Sequence, residues 1–321
     1  MSAGPALRKS AAKYGSRTTV ADNLNIYQLD SGAWQMAATM YVKNPKFDSA
    51  APWTVVVHAH GLHAGGDGTP TSWVADSIVA GSFQHPEKAN YDGKFFEDGG
   101  KLYLIYSKLL SDSPHHDGIV AQAMTSPSKP ANSAPSVLLG PETANGGYNS
   151  ELFFGMGRSA KFKLIETGNL TKVGGKYVMA YSTGAYNQSD YKTGLAWSDT
   201  LIPTKGSTYR RILMKDDKQV WAGKPGGYEV DYLLQAQTKE WPNYVGDKVL
   251  APGVPSVVES DGKWYLYFAG YLPTDAPKDS GGKYDASHRR PYVMPLTVNV
   301  PKGTSVHAAS NEDLARWITW A

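Results

Sequence analysis

One pattern recurs along the 321-residue chain: a strand-like run, a turn that ends in glycine, and then an aromatic-rich strand. The last glycines of the turns are Gly32, Gly100, Gly175 and Gly262, spaced 68, 75 and 87 residues apart. Their Ser-Gly, Gly-Gly and Asp-Gly pairs tolerate the positive φ of β-hairpin turns. Hairpins repeating at this interval predict an all-β fold, a five-bladed β-propeller, or four blades and an open edge where the first is missing. The alternative is a β-sandwich with fortuitous hairpins.

The stretches between the hairpins complete this prediction. The candidate outer strands are residues 54–60, 118–124, 193–197 and 292–300. The one predicted helix spans Asn311 to Trp317, with Ser310 as its N-cap. Segments rich in Gly, Pro, Asp and Ser, at 61–72, 127–136 and 273–287, are predicted loops. We expect residues 1–321 to form a single propeller domain.

Composition excludes several classes of function. The chain has 32 basic and 29 acidic residues without a basic stripe, which argues against nucleic-acid binding. It has no cysteine, so disulfides, thiol catalysis and Cys-ligated metals are excluded. It has no apolar run long enough for a transmembrane helix. Residues 1–16 lack the apolar segment of a signal peptide, so the protein is either intracellular or begins here after a leader that was removed or missed.

Three acidic residues precede the hairpins at a similar distance from the turn glycine. Asp22, Asp92 and Glu166 lie 10, 8 and 9 residues before the glycines of the first three turns. The first strands of propeller blades converge on the central axis. Acids at this shared phase are therefore expected to face one funnel, whereas each alone would be interpreted as a solvated loop residue.

The segments around two of these acids resemble glycoside hydrolase family 43. Residues 166–186 read Glu-Thr-Gly-Asn-Leu-Thr-Lys-Val-Gly-Gly-Lys-Tyr-Val-Met-Ala-Tyr-Ser-Thr-Gly-Ala-Tyr, and residues 191–199 read Tyr-Lys-Thr-Gly-Leu-Ala-Trp-Ser-Asp. They are similar to the family's fourth blade, with its Glu-Gly-Pro, Gly-Lys-Tyr-Tyr, Tyr-Ser and Tyr-x-x-Gly-x-Ala-x-Ser pattern. Residues 91–107 resemble its Asp-Pro-x-Phe-x-Asp-Asp-Gly-Lys-x-Tyr-Leu segment, and residues 262–268 resemble its last blade.

The resemblance covers most of residues 20–300 and implies a function. The expected protein is a secreted, monomeric glycosidase that cleaves arabinofuranosyl or xylosyl linkages of hemicellulose and pectin side chains with inversion. Its partner would be an oligosaccharide or polysaccharide, with no nucleic acid and no membrane. Two alternatives remain: a catalytically silent carbohydrate-binding propeller and a protein-interaction propeller.

The resemblance also implies a role for each acid. Glu166 matches the general acid, and Asp92 matches the carboxylate that orients this acid and keeps its pKa high. Asp22 is the only candidate for the general base. Two motifs depart from the family, because Thr-Gly follows Glu166 and Gly follows Asp92. Asp22 aligns equally with a second-blade segment, in which case the first blade and its base would precede this chain.

This assignment agrees with the chemistry of inversion. One carboxylic acid protonates the leaving oxygen, and a carboxylate about 6.5–9.5 Å away activates water on the opposite face. Arg290 is a candidate for a sugar hydroxyl, with a solvated Arg pair as the alternative. Aromatic residues that could stack on sugars, or instead pack between blades, are Trp34, Trp73, Tyr106, Tyr181, Tyr186 and Tyr191.

No metal or cofactor is expected. His58 and His60 would share one face of a strand, with His63 nearby, but no acid at a suitable spacing completes a set of ligands. An axial calcium ion, usual in the resembled family, is doubtful because residues 251–254 read Ala-Pro-Gly-Val where that family has a histidine turn.

Overall fold

A computed structural model describes residues 19–42, 53–64, 66, 68–82, 89–112, 115–141, 151, 163–204, 206–215, 228–237, 239–240 and 243–320. Most of these residues lie in β-strands, which confirms the predicted all-β class. None of the described helices is long and apolar enough to cross a membrane. The chain divides into two compact units, one of Met1–Leu109 with Ile119–Val137 and one of Leu110–Gly118 with Leu138–Ala321. The predicted single domain stays a prediction.

The first unit contains a four-stranded antiparallel sheet in chain order. Its strands are β1 (Thr19–Gln28), β2 (Trp34–Val42), β3 (Trp53–Ala64) and β4 (Pro70–Ala80). Every second residue of β2 and β3 points into one core, because successive side chains of a strand alternate between faces. The buried residues of this core are Met36, Ala38, Met40, Val55, Val57, Ala59, Trp73 and Ala75.

The predicted loop at residues 61–72 is mostly strand, which corrects the prediction. β3 continues to Ala64 and β4 begins at Pro70, with Ala64 opposite Pro70 in the ladder. Gly61 permits this close pairing, because a Cβ at this position would lie 2.3 Å from a ring carbon of Pro70. The glycine and polar residues of 61–72 therefore allow the paired strands β3 and β4 to extend further than predicted.

A further series of strands begins with the second predicted hairpin. β5 (Asn90–Asp98) and β6 (Lys101–Asp112) pair antiparallel across Gly99 and Gly100, both at positive φ. β7 (His115–Ser126) follows, and the short β8 (Lys129–Pro130) pairs with its end inside the predicted loop 127–136. β9 (Ser136–Leu139) comes next along the chain.

The second unit contains two runs of four antiparallel strands and a two-stranded ribbon. One run has β10 (Lys163–Val173), β11 (Lys176–Thr183), β12 (Lys192–Ser198) and β13 (Arg210–Arg211). The ribbon pairs β14 (Leu213–Lys215) with β15 (Tyr228–Val230). The other run has β16 (Leu250–Ser260), β17 (Lys263–Tyr271), β18 (Arg290–Val298) and β19 (Ile318–Trp320). The predicted outer strands thus lie in β3, β7, β12 and β18, although β18 ends at Val298.

The predicted helix is present with the predicted bounds. Helix α1 (Asn311–Trp317) begins after Ser310, whose hydroxyl accepts a hydrogen bond from the Asp313 amide while the Asp313 carboxylate bonds back to the Ser310 amide. Trp317 packs edge-on against Trp197 of β12, with 5.1 Å between ring centroids. The helix therefore closes the core of the second unit. The predicted loop 273–287 consists of turns and isolated bridges, with a 3-10 turn at Ala286–His288.

Three strands, β5, β10 and β16, share one irregularity in their antiparallel pairing, which we call the bulge. In β10 the pairing steps from Glu166 opposite Ser182 to Asn169 opposite Ala180, so the strand advances one residue more than its partner. The same step occurs from residue 91 to 94 in β5 and from 253 to 256 in β16. The bulge is the feature that directs side chains near the start of each strand.

A residue with positive φ follows the first position of each bulge. These residues are Asp92, Thr167 and Val254, with φ of 57°, 56° and 57°. Each lies eight residues before the turn glycine of its hairpin. Thr167 and Val254 are β-branched, for which the left-handed region is unfavourable. The surrounding ladder therefore imposes this conformation. Asp92 corresponds to Thr167, and Glu166 corresponds to Tyr91, so the two predicted acids stand one position apart within the repeat.

Candidate active site

Glu166 occupies the first position of the bulge in β10. It is half-buried, and its carboxylate accepts a hydrogen bond of 2.7 Å from the hydroxyl of Tyr191. Tyr191 immediately precedes β12 and is only 1% exposed. The hydrogen bond connects β10 to the residue just before β12 and gives the Glu166 carboxyl group a defined orientation.

The Tyr191 ring is held in place by glycine. A Cβ at residue 253 would lie 2.1 Å from Cε1 of Tyr191, so only Gly253 leaves room for the ring. Burial, and then the negative charge of Glu166, raise the Tyr191 pKa well above its usual value, while Arg289 acts in the opposite direction. Tyr191 therefore remains a protonated donor throughout the ordinary pH range.

Arg289 places a cation beside Tyr191. Its guanidinium carbon lies 5.0 Å from the centroid of the Tyr191 ring, and 5.9 Å and 5.8 Å from those of Tyr186 and Tyr271. Its nitrogen atoms donate to the carbonyl oxygens of Tyr186 at 2.8 Å and Ala269 at 2.9 Å. The planar fork of the guanidinium suits this combination of ring contact and paired carbonyls.

Thr167, the second residue of the bulge in β10, is connected to Val254 of β16 through hydrogen bonds to Ser182. The Thr167 hydroxyl donates to Oγ of Ser182 at 2.7 Å, and the Val254 amide donates to the same oxygen at 2.8 Å. Ser182 and Thr167 are both buried. The backbone that carries Glu166 is thus fixed from two sides, which limits the movement of its carboxylate.

Asp92 lies in the first unit, in the corresponding bulge of β5. It is 4% exposed, and its amide donates to the Thr39 hydroxyl at 2.8 Å. Burial lowers the pKa of the neighbouring Lys94 to about 8, although the Asp92 charge opposes this decrease. Asp92 is therefore a buried carboxylate close to a lysine side chain, and its catalytic role stays a prediction.

Asp22 lies in β1, where the pairing with β2 shifts between Val20 and Leu24. Its side chain is outside the described part of the structure. Its predicted role as the general base stays a prediction.

The predicted sugar-binding aromatics have different surroundings. Tyr186 is 45% exposed, whereas Trp73 is 7% exposed and belongs to the core of the first unit. Trp34 is half-buried and packs against the same core. The burial of Trp73 corrects the expectation that it stacks on a sugar, because its ring packs among aliphatic residues.

Arg290 is not among the residues that contact Tyr191 or Glu166, and its predicted role in sugar binding stays a prediction. It is exposed and forms an ion pair with Asp275, which also contacts His288 at 2.7 Å. The adjacent Arg289 contacts Tyr191 instead. The sequence carries no signal that distinguishes Arg289 from Arg290, because their different contacts depend on β18 beginning at Arg290.

The histidine pair of β3 does have an acid beside it, which corrects the sequence argument. Asp76 of β4 lies in a pairing shift of the ladder, and its Oδ2 is 2.9 Å from His58 Nδ1 and 2.8 Å from His60 Nδ1. His58 Nε2 faces Gln35 Oε1 at 2.6 Å, and burial lowers the His58 pKa. Over the described ranges, no three His, Cys, Asp or Glu side chains are arranged to hold a metal ion.

Comparison with known proteins identifies the fold. No family model matches the sequence, and neither does any curated protein. Among solved structures, α-L-arabinofuranosidase from Lactobacillus brevis superposes with a TM-score of 0.60 at 15% identity, over 86% of this chain and 72% of that one. A thermostable family-43 glycoside hydrolase gives 0.56 at 17%, over 88% and 74%. The α-L-arabinanase of Cellvibrio cellulosa, complexed with arabinohexaose, gives 0.58 at 14%, over 99% and 86%.

These similarities confirm the predicted fold. The neighbours are family-43 glycoside hydrolases with a five-bladed β-propeller, and this chain shares their fold. The resemblance inferred from the motifs around residues 91 and 166 therefore holds for the architecture.

Proposed function

We propose that this propeller is an inverting glycoside hydrolase that cleaves arabinofuranosyl or xylosyl linkages in the side chains of plant cell-wall polysaccharides. The observation that carries the proposal is the half-buried Glu166, oriented by the Tyr191 hydroxyl at 2.7 Å. Its support includes the shared fold with an arabinofuranosidase and with an arabinanase solved in complex with arabinohexaose. Because such polymers are extracellular, we further propose that the protein acts outside the cell, as a monomer.

Glu166 is the proposed general acid. Hydrolysis breaks the bond between the anomeric carbon and the leaving oxygen, and the oxygen must gain a proton as the bond breaks. Tyr191 binds Oε1 of Glu166, so the carboxyl group is oriented before substrate arrives. Such positioning reduces the entropy lost on reaching the transition state. Tyr186, exposed beside Arg289, offers an aromatic face for a sugar ring.

The other two acids keep their proposed roles. Asp92 would orient the acid and keep it protonated by like-charge repulsion. Asp22 would activate the water that attacks the anomeric carbon, unless that base belongs to a segment that precedes this chain. Replacement of Asp22 by Asn should then abolish turnover in the first case and change it by less than about tenfold in the second.

The central test is Glu166→Gln, with the exposed Glu259→Gln as the matched control. Turnover on arabinan or xylan oligosaccharides should fall by about 10²–10⁴-fold in Glu166→Gln, because general acid catalysis is lost. Activated aryl glycosides have better leaving groups and should lose less. Equal loss on both substrates would contradict the role of Glu166 as the acid.

A second candidate function is a carbohydrate-binding propeller without catalysis. It is favoured by the Thr167-Gly168 sequence after Glu166, which departs from the resembled family. Calorimetric binding of arabinohexaose together with no release of reducing sugar would support this alternative over the hydrolase.

A further inference from the structure

The second unit contains a cavity lined by residues different from those around Glu166. Its volume is about 460 Å³, within the usual range for small-molecule sites. Leu195 of β12 and Ile318 of β19 contribute apolar walls, and Ala315 of α1 forms part of the wall. Asp231 and Thr319 add polar groups, and Trp320 adds an aromatic ring.

Asp231 brings a half-buried carboxylate to this cavity, and one of its two oxygens is buried. Among the residues that the structure describes, none forms a hydrogen bond with its buried Oδ1 atom. Burial alone raises the Asp231 pKa to about 6. Its backbone is fixed, because its amide donates to the Ile212 carbonyl at 2.9 Å. Buried polar atoms are nearly always hydrogen-bonded, so the lack of a bond to Oδ1 is an unusual feature of this carboxylate.

Trp320 is held in a fixed orientation at the cavity. Its indole Nε1 donates to Oδ1 of Asn243 at 3.2 Å, and Nδ2 of Asn243 donates to the Tyr232 carbonyl at 2.9 Å. Both ends of the Asn243 amide are therefore used internally. An aromatic ring with a fixed plane beside a carboxylate offers an apolar face and a hydrogen-bond acceptor together.

The charges around the cavity disfavour a cationic ligand. The Lys248 ammonium group lies 5.7 Å from the centroid of the Trp320 ring, and that of Lys192 lies 5.1 Å from the centroid of the Tyr232 ring. These two rings already have cations beside them. A ligand that is neutral and rich in hydroxyl donors therefore suits the cavity better than an amine.

We propose that this cavity is a non-catalytic binding site for a neutral sugar ring, which packs against Trp320 and donates a hydroxyl hydrogen to Asp231. Thr319 would contribute a further hydroxyl contact. The choice of arabinose or xylose as that sugar rests on the proposed function. The cavity and its lining residues do not include Glu166. Such a site would keep a polysaccharide chain attached between rounds of cleavage.

The test measures arabinohexaose and xylohexaose binding by calorimetry in the Glu166→Gln protein. Two variants are added to this background: Ala315→Phe, which fills the cavity, and Asp231→Leu, which removes the acceptor. Glu312→Gln is the control, an exposed change on the same helix. We expect the cavity variants to lose one binding site, or to weaken it by at least about tenfold, while the control keeps it.

Several outcomes separate this proposal from the proposed function. Cavity variants with an intact Glu166 should hydrolyse a small aryl arabinofuranoside or xyloside at the wild-type rate. If the wild type hydrolyses no glycoside but the cavity variants still lose hexaose binding, the sugar site stands and the hydrolase proposal falls. Unchanged hexaose binding in Asp231→Leu would overturn the sugar site, and so would binding of ethylamine in preference to both sugars. If Ala315→Phe fails to fold by circular dichroism, Asp231→Leu decides the matter.

Discussion

Tyr191 and Glu166 are 25 residues apart in the chain, yet the properties of each depend on the other. Burial, and then the charge of the carboxylate, raise the Tyr191 pKa, and the hydroxyl orients the carboxylate. Gly253 leaves the space in which the tyrosine ring lies. The chemistry of this site therefore depends on three separate segments of the second unit.

Replacing Tyr191 by Phe tests this dependence. The variant loses the hydrogen bond that favours the ionised form of Glu166, so the basic limb of the pH–rate profile should move to higher pH. Turnover on oligosaccharides should fall by about tenfold or more, because the acid is less well oriented. The measurement is a pH–rate profile on arabinan or xylan oligosaccharides.

Tyr228→Phe is the control for this change, since Tyr228 is 60% exposed. It should leave both limbs of the profile in place. An unchanged basic limb in Tyr191→Phe would mean that the hydroxyl only packs against Glu166 and has no influence on its protonation.

Some residues of the site were predictable and others were not. Glu166 and Asp92 stand at a fixed distance from a turn glycine, which the sequence displays directly. Arg289 and Asp76 were missed for one reason: each acts on residues of other strands. Arg289 reaches a tyrosine about a hundred residues earlier, and such a contact leaves no local pattern.

Elements were predicted best where their signals are local. The bounds of α1 follow from Ser310 and Asp313, which form a capping box within four residues. The end of the β3–β4 hairpin, within the predicted loop 61–72, differs from the prediction because its pairing near Gly61 depends on close contact with Pro70. The bulge repeated in β5, β10 and β16 also could not be predicted from the sequence, because the hydrogen bonds of the whole ladder determine its backbone torsion angles.

The capping box gives a prediction for the stability of α1. Ser310→Ala removes the acceptor of the Asp313 amide and the donor to its carboxylate, so the free energy of unfolding should fall by about 0.5–2 kcal/mol. Urea denaturation followed by tryptophan fluorescence measures it, because Trp317 ends the helix. His307→Ala, an exposed change just before the helix, is the control. Equal midpoints for the two variants would show that the cap contributes nothing.

At the scale of the molecule, the second unit contains a buried pair of opposite charges. Nε of Arg211 lies 2.6 Å from Oε1 of Glu151, and the side chains are 6% and 0% exposed. Burial raises the Glu151 pKa, and Arg211 opposes this increase. Such a pair stabilises little by itself, but the loss of one partner leaves a buried charge uncompensated.

Arg211→Met should therefore lower the free energy of unfolding by about 3–5 kcal/mol. Arg316→Met, on the exposed side of α1, should change it by less than about 0.5 kcal/mol. Thermal and urea unfolding at neutral pH measure both. A double variant, Arg211→Met with Glu151→Leu, should recover much of the loss; no recovery would assign the loss to packing instead of charge.

Asp231 makes the stability of the molecule depend on pH. Its pKa is about 6 in the folded chain against a usual 3.8, so the folded state holds its proton more tightly. Stability due to this group therefore falls as the pH rises from about 4 to 6, and the penalty is complete above that range. The increase corresponds to at most about 3 kcal/mol, at 1.36 kcal/mol for each pH unit.

Asp231→Asn should remove this penalty. Relative to the wild type, the variant should gain stability at pH 8 and lose this advantage below pH 4, as measured by urea unfolding across the pH range. The exposed Asp261→Asn should show no such change of relative stability with pH. A stability difference that is constant with pH would mean that Asp231 does not titrate near 6.

In the bulge of β5, β10 and β16, the backbone conformation does not depend on which side chain stands at the first position. Hydrogen bonds of the ladder and one residue at positive φ set the backbone, and the first position holds Tyr91, Glu166 or Gly253 without a change in pairing. Mutation at that position can therefore alter what a blade contributes while the blade itself persists. The backbone can thus persist while the sequence changes, and this chain shares its fold with solved structures at only 14–17% identity.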